Sequence, residues 1–305
     1  MIDLDISAYR IDLSSLPPPC TPVLANIIKR HYDAEKSPGP SMERRALTLR
    51  TLHKHWPTTP PPKDSQDDAA LEDYYDDLFD YLLEDDAPGV LIRADYSNDA
   101  AWDAFHAKLK DAERDILKTL VPSPPEDEAG PSTSTAPPSQ STDVDMEGGN
   151  ESDDSSDDES PPTSIITVID PALPEERQLF DKISNIAALR LINDVDLRPA
   201  PPRPKDVKKI QPPHPLIDKN DWQEIYTGKT IWIYDDKSLK DESVRLISSS
   251  GDVYGTATGD SWRAKVAHIC DLQFNMTYLG MQVNFGGLDR WDFSERQRNL
   301  SESVA

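Results

Sequence analysis

The chain has 305 residues, with 32 lysines and arginines against 56 aspartates and glutamates, and a formal net charge of −24. This acidic excess excludes a protein that coats nucleic acid through a broad basic surface, because phosphate binding needs a surplus of cations. Two segments carry nearly all of the excess: residues 64–86 hold 11 acidic and no basic residues, and residues 121–163 hold 12 and none. The rest of the chain is close to neutral.

The composition indicates one folded core with appendages, because only 36% of the residues are hydrophobic and 28 are prolines. The two cysteines, Cys20 and Cys270, are far apart and provide neither a disulfide framework nor a zinc module. A reducing compartment, the cytoplasm or nucleus, is therefore expected. No apolar run approaches the roughly 20 residues that span a bilayer, and the first residues lack a signal-peptide pattern, so no membrane association is expected.

Residues 1–63 are predicted to form a helical extension punctuated by prolines. One short helix is expected near 22–32, and a second begins after Ser41, a good N-cap. The basic stretch 29–56 is interpreted as the electrostatic partner of an acidic amphipathic helix at 69–83. An RNA-contact face is the alternative, but no pattern of interleaved aromatic and glycine residues supports nucleic-acid readout. Nucleic acid is therefore not an expected partner.

Residues 64–120 and 164–300 are predicted to form a single α/β domain. Its first strand, Val90–Ile92, ends at Asp95 and precedes a helix that Ser97 or Asn98 can cap. Further strands are predicted at 165–169, 230–234, 244–247 and 262–266, with helices from about 174, from about 267 and within 286–297. Leu179, Phe180, Ile183, Ile186 and Ala187 are the expected buried positions of the helix that begins near 174.

The alternation of strands and helices predicts a mainly parallel sheet flanked by helices on both faces, a three-layer α/β arrangement, because parallel neighbours need crossover connections. Two long inserts interrupt this pattern. Residues 121–163 are rich in Pro, Ser, Asp and Glu and are predicted to be disordered. Residues 198–217 are predicted to be a proline-rich loop.

The run from Val90 to Phe105, VLIRADYSNDAAWDAF, resembles the opening of a bacterial domain family of unknown function, which begins with a strand, an Arg-Thr-Asp-Phe-Ser-Asp-type turn and an Ala-Ala-Trp helix. Residues 168–171 and 233–239 are similar to the ends of that family's second and third strands. Residues 269–285 resemble its C-terminal signature, but Gly-Met-Gln-Val at 280–283 replaces Asn-Met-Asp-Phe. The resemblance implies the fold and the domain limits and implies no activity.

Three predicted strands are followed by carboxylates: Asp95, Asp170 and Asp235. Ligands of open α/β sheets bind beyond the carboxyl ends of the strands, so these side chains are candidate catalytic residues that could bind Mg²⁺ for phosphate chemistry. The alternative is that each aspartate caps a helix or opens a turn. This alternative is favoured because no glycine-rich phosphate loop accompanies them, and no other cofactor or metal centre is expected.

The two inserts contain candidate sites for protein partners. Ser155 and Ser156 each have an acidic residue three positions on, a pattern typical of phosphorylation by acidophilic kinases. Arg198, Pro201 and Pro204 form a basic-flanked PxxP pattern that can dock on an aromatic groove. An inert spacer is the alternative for each segment.

These features favour a non-enzymatic protein-interaction module whose acidic and proline-rich tracts contact partner proteins. The alternative is a Mg²⁺-dependent enzyme or nucleotide-binding domain that uses the strand-end aspartates. The two hypotheses differ in a geometric expectation: an enzyme needs the three carboxylates around one open pocket, whereas separate caps and turns place them apart.

Overall fold

The computed structural model describes residues 41–59, 87–120, 163–202, 213–251, 256–283, 285 and 292–302, together with helical positions 23, 24, 27, 30 and 31. The predicted acidic helix at 69–83, nearly all of the insert 121–163, both candidate serines and Pro204 lie outside these residues. The helices are α1 (Ser41–Lys54), α2 (Asp99–Leu120), α3 (Pro174–Phe180), α4 (Asn185–Ile192), α5 (Ser238–Asp241), α6 (Ile269–Tyr278) and α7 (Phe293–Ser301). The strands are β1 (Gly89–Arg93), β2 (Ile166–Ile169), β3 (Asp194–Pro199), β4 (Trp222–Thr227), β5 (Thr230–Tyr234), β6 (Ser243–Ile247) and β7 (Ser261–Lys265).

Five strands form one sheet in the order β2-β1-β5-β6-β7. Strand β1 is parallel to β2 and β5, whereas β6 is antiparallel to both β5 and β7. The sheet is therefore mixed, and the prediction of a mainly parallel sheet is confirmed only for β2, β1 and β5. The physical reason lies in the short connection from β5 to β6, residues 235–242, because a parallel crossover needs a dozen or more residues.

Helices cover both faces of this sheet, as predicted. Val90 and Ile92 of β1 face one core, which includes residues of α1, α4 and the β3–β4 pair. Leu91 faces the other core, which includes residues of α2 and α6. All three side chains are fully buried, because a strand with helices on both faces presents alternate residues to two apolar layers. The predicted cap of α2 is also present, since Asn98 Oδ1 accepts the Ala101 N–H at 3.1 Å.

The β3–β4 hairpin was not predicted from the sequence. Its strands pair antiparallel, with Arg198 opposite Gln223 and Pro199 opposite Trp222. The prediction of a loop at 198–217 is therefore wrong for residues 198 and 199, which are the last two residues of β3. Proline is tolerated at the end of a strand, so the run of prolines that follows obscured this boundary.

The predicted helix that begins near residue 174 is divided in two. Helix α3 ends at Phe180, and Lys182 has a positive φ of 52° before α4 begins at Asn185. The side chain of Leu179, expected in the core, is 49% exposed. The left-handed residue redirects the chain, so the apolar spacing does not continue as one stripe across both helices.

Helix α1 is fixed onto the hairpin by a buried cluster of polar side chains. His53 Nε2 lies 2.8 Å from Glu224 Oε2, and Tyr226 Oη donates to Glu224 Oε1 at 2.5 Å. Burial alone would raise the pKa of Glu224, but the hydrogen bonds from His53 and Tyr226 outweigh it and hold the pKa below its usual range. The indole N–H of Trp56 also donates to Lys219 O at 2.8 Å.

A buried acid in the hairpin provides a test of these energetics. Asp196 is 4% exposed, and the hydrogen bond that the structure shows for its carboxyl group comes from the adjacent Leu197 N–H. Burial raises the pKa of Asp196 well above its usual value. Ionisation is therefore penalised in the folded state, and the protein should lose stability as pH rises above 3.8.

We expect Asp196→Asn to raise the free energy of unfolding at pH 7–8 by roughly 1 kcal/mol or more, because an amide carries no charge to be desolvated. Urea titrations at several pH values would measure it. The difference between the variant and the wild type should grow with pH. A difference that is constant from pH 5 to 8 would contradict the assignment of Asp196 as a destabilised buried acid.

Candidate functional site

The three predicted carboxylates lie at the same edge of the sheet. Asp170 directly follows β2 and Asp235 directly follows β5, while Asp95 lies two residues beyond β1. The parallel register places Arg93 at the end of β1 opposite Tyr234 at the end of β5. The three aspartates therefore lie at the predicted edge of the sheet. Arginine side chains lie at the same edge.

Arg93 neutralises the carboxylate of Asp170. Its guanidinium Nη1 lies 3.3 Å from both oxygens of Asp170, and its Nη2 pairs with Asp99 at the start of α2. The Arg93 side chain is only 3% exposed and stacks over the rings of Tyr96 and Trp102, 4.8 and 5.2 Å from the ring centroids. Burial and the nearby Asp170 charge raise the pKa of Tyr96 to about 12.

A second group of arginines neutralises Asp235. Arg263 forms a bidentate pair with both Asp235 oxygens, each at 2.8 Å, and Arg245 Nε lies 3.1 Å from Oδ2. Arg245 continues to Glu295 of α7 at 3.1 Å. Burial alone would raise the pKa of Asp235, but the bond from Arg263 and the charge of Arg245 hold it below its usual range. We call these four residues the Asp235 network.

The carboxylates thus have separate structural roles. Asp95 accepts the Ser97 N–H at 2.7 Å in a turn, and Asp235 accepts the Ser238 N–H at the start of α5. Throughout the described ranges, no three His, Cys, Asp or Glu side chains are grouped so that they could hold a metal ion. The arrangement matches the cap-and-turn alternative more closely than a Mg²⁺ site.

A different part of the sheet forms an open groove. Strand β7 is the last strand of the sheet, and a cavity of about 780 Å³ runs beside it. The lining residues are Lys237, Asp241, Ser243, Trp262, Arg263, Ala264, Lys265, His268, Leu272 and Asp292. We call this cavity the edge groove.

The edge groove follows the outer edge of β7. Trp262 and Ala264 pair with Leu246 and Val244 and belong to the apolar face that packs on α2 and α6. Arg263 and Lys265 alternate with them and therefore project to the opposite face. Because the cavity is lined by residues from both faces of one strand, it must wrap around that strand's edge.

Backbone hydrogen bonds at both ends of β7 show which of its groups face inward. Val266 N–H donates to Glu242 O at 2.9 Å, and Ser248 N–H donates to Asp260 O at 2.7 Å. Hydrogen-bonded and non-hydrogen-bonded pairs alternate along an antiparallel ladder, so the N–H and C=O groups of Trp262 and Ala264 point to β6. Those of Arg263 and Lys265 point outward, into the edge groove.

The edge groove combines cationic side chains with an apolar wall. Lys237 pairs with Asp292 at 2.6 Å and Arg263 with Asp235, whereas Lys265 Nζ donates to a backbone carbonyl, that of Asp241. Burial would raise the pKa of Asp292, but hydrogen bonds from Lys237, Ser294 and the Glu295 N–H hold it at about 2. The contact shown for the Lys265 ammonium group is therefore with a neutral carbonyl, and the carboxylates of Asp241 and Asp292 line the same groove.

On the apolar wall, Trp262 and Leu272 are half-buried. The indole N–H of Trp262 is buried and has no hydrogen-bond partner. A buried polar group without a partner costs about 1–3 kcal/mol, so this N–H lowers the stability of the fold at this wall. An edge strand with outward amides can add an extended segment, while its charged side chains discourage uncontrolled self-pairing.

Sequence reasoning did not identify the edge groove. It correctly placed a strand near 262–266, but its position at the end of the sheet depends on the antiparallel pairing that was not predicted. The alternation of Trp262, Arg263, Ala264 and Lys265 was the signal available in the sequence.

The other candidate residues are only partly described. Arg198 lies in β3, where its Nε is 3.4 Å from Gln223 Oε1 and its Nη2 bonds to Gly251 O. Pro201 follows the strand, while Pro204, Ser155 and Ser156 lie outside the described residues. The PxxP and phosphorylation hypotheses therefore stay predictions.

Comparisons with protein-family models, with curated proteins and with solved structures found no match. The resemblance to the bacterial family, which rests on Val90 to Phe105, accordingly stays a prediction. None of the helices in the described ranges is both long and apolar enough to cross a bilayer.

Proposed function

We propose that this protein is a non-enzymatic protein-interaction module that adds an extended segment of a partner to the outer edge of β7. The outward backbone groups of Arg263 and Lys265, which open into a groove of about 780 Å³, carry this proposal. Main-chain hydrogen bonds to such an edge supply affinity, and the flanking side chains supply specificity.

The side chains beside β7 define the kind of segment that fits. Successive residues of an added strand point to opposite faces, and residues directly opposite each other share a face. One face of the segment would therefore meet the cation of Lys265 beside the Arg263–Asp235 ion pair, and the other would meet Trp262 and Leu272. The preferred partner is an extended segment in which acidic residues alternate with apolar ones.

The Mg²⁺-dependent alternative receives less support. Asp170 and Asp235, two of its three carboxylates, are ion-paired with Arg93 and Arg263. A cation bound there would have to displace these arginines from largely buried positions, which leaves guanidinium charges without partners.

A peptide titration tests the proposed function. A fluorescent ten-residue peptide that alternates Asp with Ile should bind the full chain more tightly than a peptide of the same composition in two blocks. Lys265→Glu should weaken binding of the alternating peptide by about tenfold or more, because it replaces an attractive cross-strand pair with a repulsive one. Fluorescence anisotropy would measure both affinities.

Lys110→Glu provides the matched control, because Lys110 is exposed on α2 and does not line the edge groove. It makes the same charge change and should leave the affinity unaltered. Equal affinity for the alternating and block peptides, or equal weakening by the two lysine variants, would show nonspecific attraction and would overturn the proposal.

A further inference from the structure

We infer that the edge groove recognises charge at one position, Lys265, and that a partner segment needs a single acidic residue, placed opposite it. This inference rests on the proposed function, because it concerns specificity at the same strand edge. It narrows the alternating segment described above to one in which a single acidic position contributes to affinity. The other positions on that face of the segment can be neutral.

The charge of Arg263 is already balanced within the protein. Its guanidinium donates to both oxygens of Asp235 at 2.8 Å, and its side chain is only 16% exposed. Burial alone would lower the pKa of Arg263, but the hydrogen bond to Asp235 and the charges of Asp235, Asp241 and Asp292 raise it. An acid of the partner opposite Arg263 would therefore meet a cation that carboxylates of this chain already share, and it would gain little.

The charge of Lys237 is balanced in the same way. Its ammonium group lies 2.6 Å from Asp292 Oδ2, and the hydrogen bond from Lys237 helps to hold the pKa of Asp292 at about 2, against the effect of burial. The Asp292 carboxylate is therefore ionised at neutral pH and keeps this cation occupied. Lys237 would contribute little to the recognition of a second acid.

Lys265 differs from both because its ammonium group contacts a neutral carbonyl, that of Asp241. The Asp241 carboxylate faces Ser243, whose N–H and hydroxyl donate to Oδ1 at 3.0 and 2.7 Å. Lys265 is also exposed at the end of β7, beside its own outward backbone groups. An acidic residue opposite Lys265 would add an ion pair, which is worth up to about 1 kcal/mol between adjacent strands.

Three blocked peptides test this inference on the full chain. The central one, Ile-Ser-Ile-Asp-Ile-Ser-Ile, reads the same in both directions, so the test does not depend on whether the segment runs parallel or antiparallel to β7. The others replace Asp with Ser, or both Ser with Asp. We expect the one-acid peptide to bind about fivefold more tightly than the acid-free peptide. Fluorescence anisotropy would measure the affinities.

Lys265→Gln should remove this preference completely, because it removes the one charge that the acid meets. The peptides with one and three acids should then bind no more tightly than the acid-free peptide. Lys265→Arg keeps the charge and should retain most of the preference, and Lys110→Gln, which neutralises an exposed cation away from the groove, should retain all of it.

The failure of this inference differs from the failure of the proposed function. A preference for acids that survives in Lys265→Gln, or that Lys110→Gln also removes, would overturn recognition at one position. Equal binding of the acid-free and one-acid peptides by the wild type would overturn it as well and leave strand addition standing. If none of the peptides binds, including the ten-residue Asp-Ile peptide, the proposed function itself fails.

Discussion

Glu224→Leu should lower the free energy of unfolding by roughly 3 kcal/mol or more. The Glu224 side chain is 1% exposed and accepts hydrogen bonds from both His53 and Tyr226. Removal of its carboxylate leaves two buried polar groups without their partner and loosens α1 from the hairpin. Urea unfolding of wild type and variant would measure the change.

The pH dependence and a double-mutant cycle make this prediction specific. Because the pKa of Glu224 is lowered on folding, its contribution is present above the ordinary value of 4.5 and is lost as pH falls towards the folded-state value. The variant should lack this loss. His53→Leu should cost less when Glu224 is already leucine, and additive effects of the two substitutions would contradict the coupling.

Asp235→Ala should be similarly destabilising, by roughly 3–5 kcal/mol. It leaves Arg245 and Arg263, whose side chains are 6% and 16% exposed, without the carboxylate that pairs with both. The pKa of Asp235 is lowered on folding, so this stability is present above 3.8 and is lost at lower pH. Thermal and urea unfolding at pH 7 would show the effect.

Asp236→Ala is the natural control, because this neighbouring aspartate is exposed. Its effect should stay within about 0.5 kcal/mol. The same samples test the Mg²⁺ alternative: we expect wild-type Tm to be unchanged by Mg²⁺. A Mg²⁺-dependent rise in Tm that Asp235→Ala abolishes would contradict the assignment of Asp235 as a structural partner of arginine.

Much of the fold was predictable because it follows from local patterns. The apolar runs at β1, β2 and β5, each followed by a helix or turn residue, correctly indicated buried parallel strands. The antiparallel part was missed, although the eight residues between β5 and β6 are too few for a crossover helix. The hairpin was missed because the adjacent polar residues Gln223 and Glu224 interrupt the apolar alternation of β4, although β3 alternates polar and apolar residues from Asp194 to Arg198.

The candidate site was less predictable than the fold. The sequence placed Asp95, Asp170 and Asp235 at strand ends, but their chemistry depends on arginines that come from other strands. Arg245 and Arg263 reach Asp235 because β6 runs antiparallel beside β5 and β7 runs antiparallel beside β6. Likewise, the outward direction of the Lys265 amide depends on strand register, which a single strand's sequence does not contain.

Amide hydrogen exchange at β7 tests the central claim most directly. With the alternating peptide at saturation, the exchange rates of the Arg263 and Lys265 amides should fall by at least about tenfold, because each amide donates a hydrogen bond to the added strand. The amides of Trp262 and Ala264, which already face β6, should change little. Peptide binding that leaves the Arg263 and Lys265 amides unprotected would contradict strand addition at this edge.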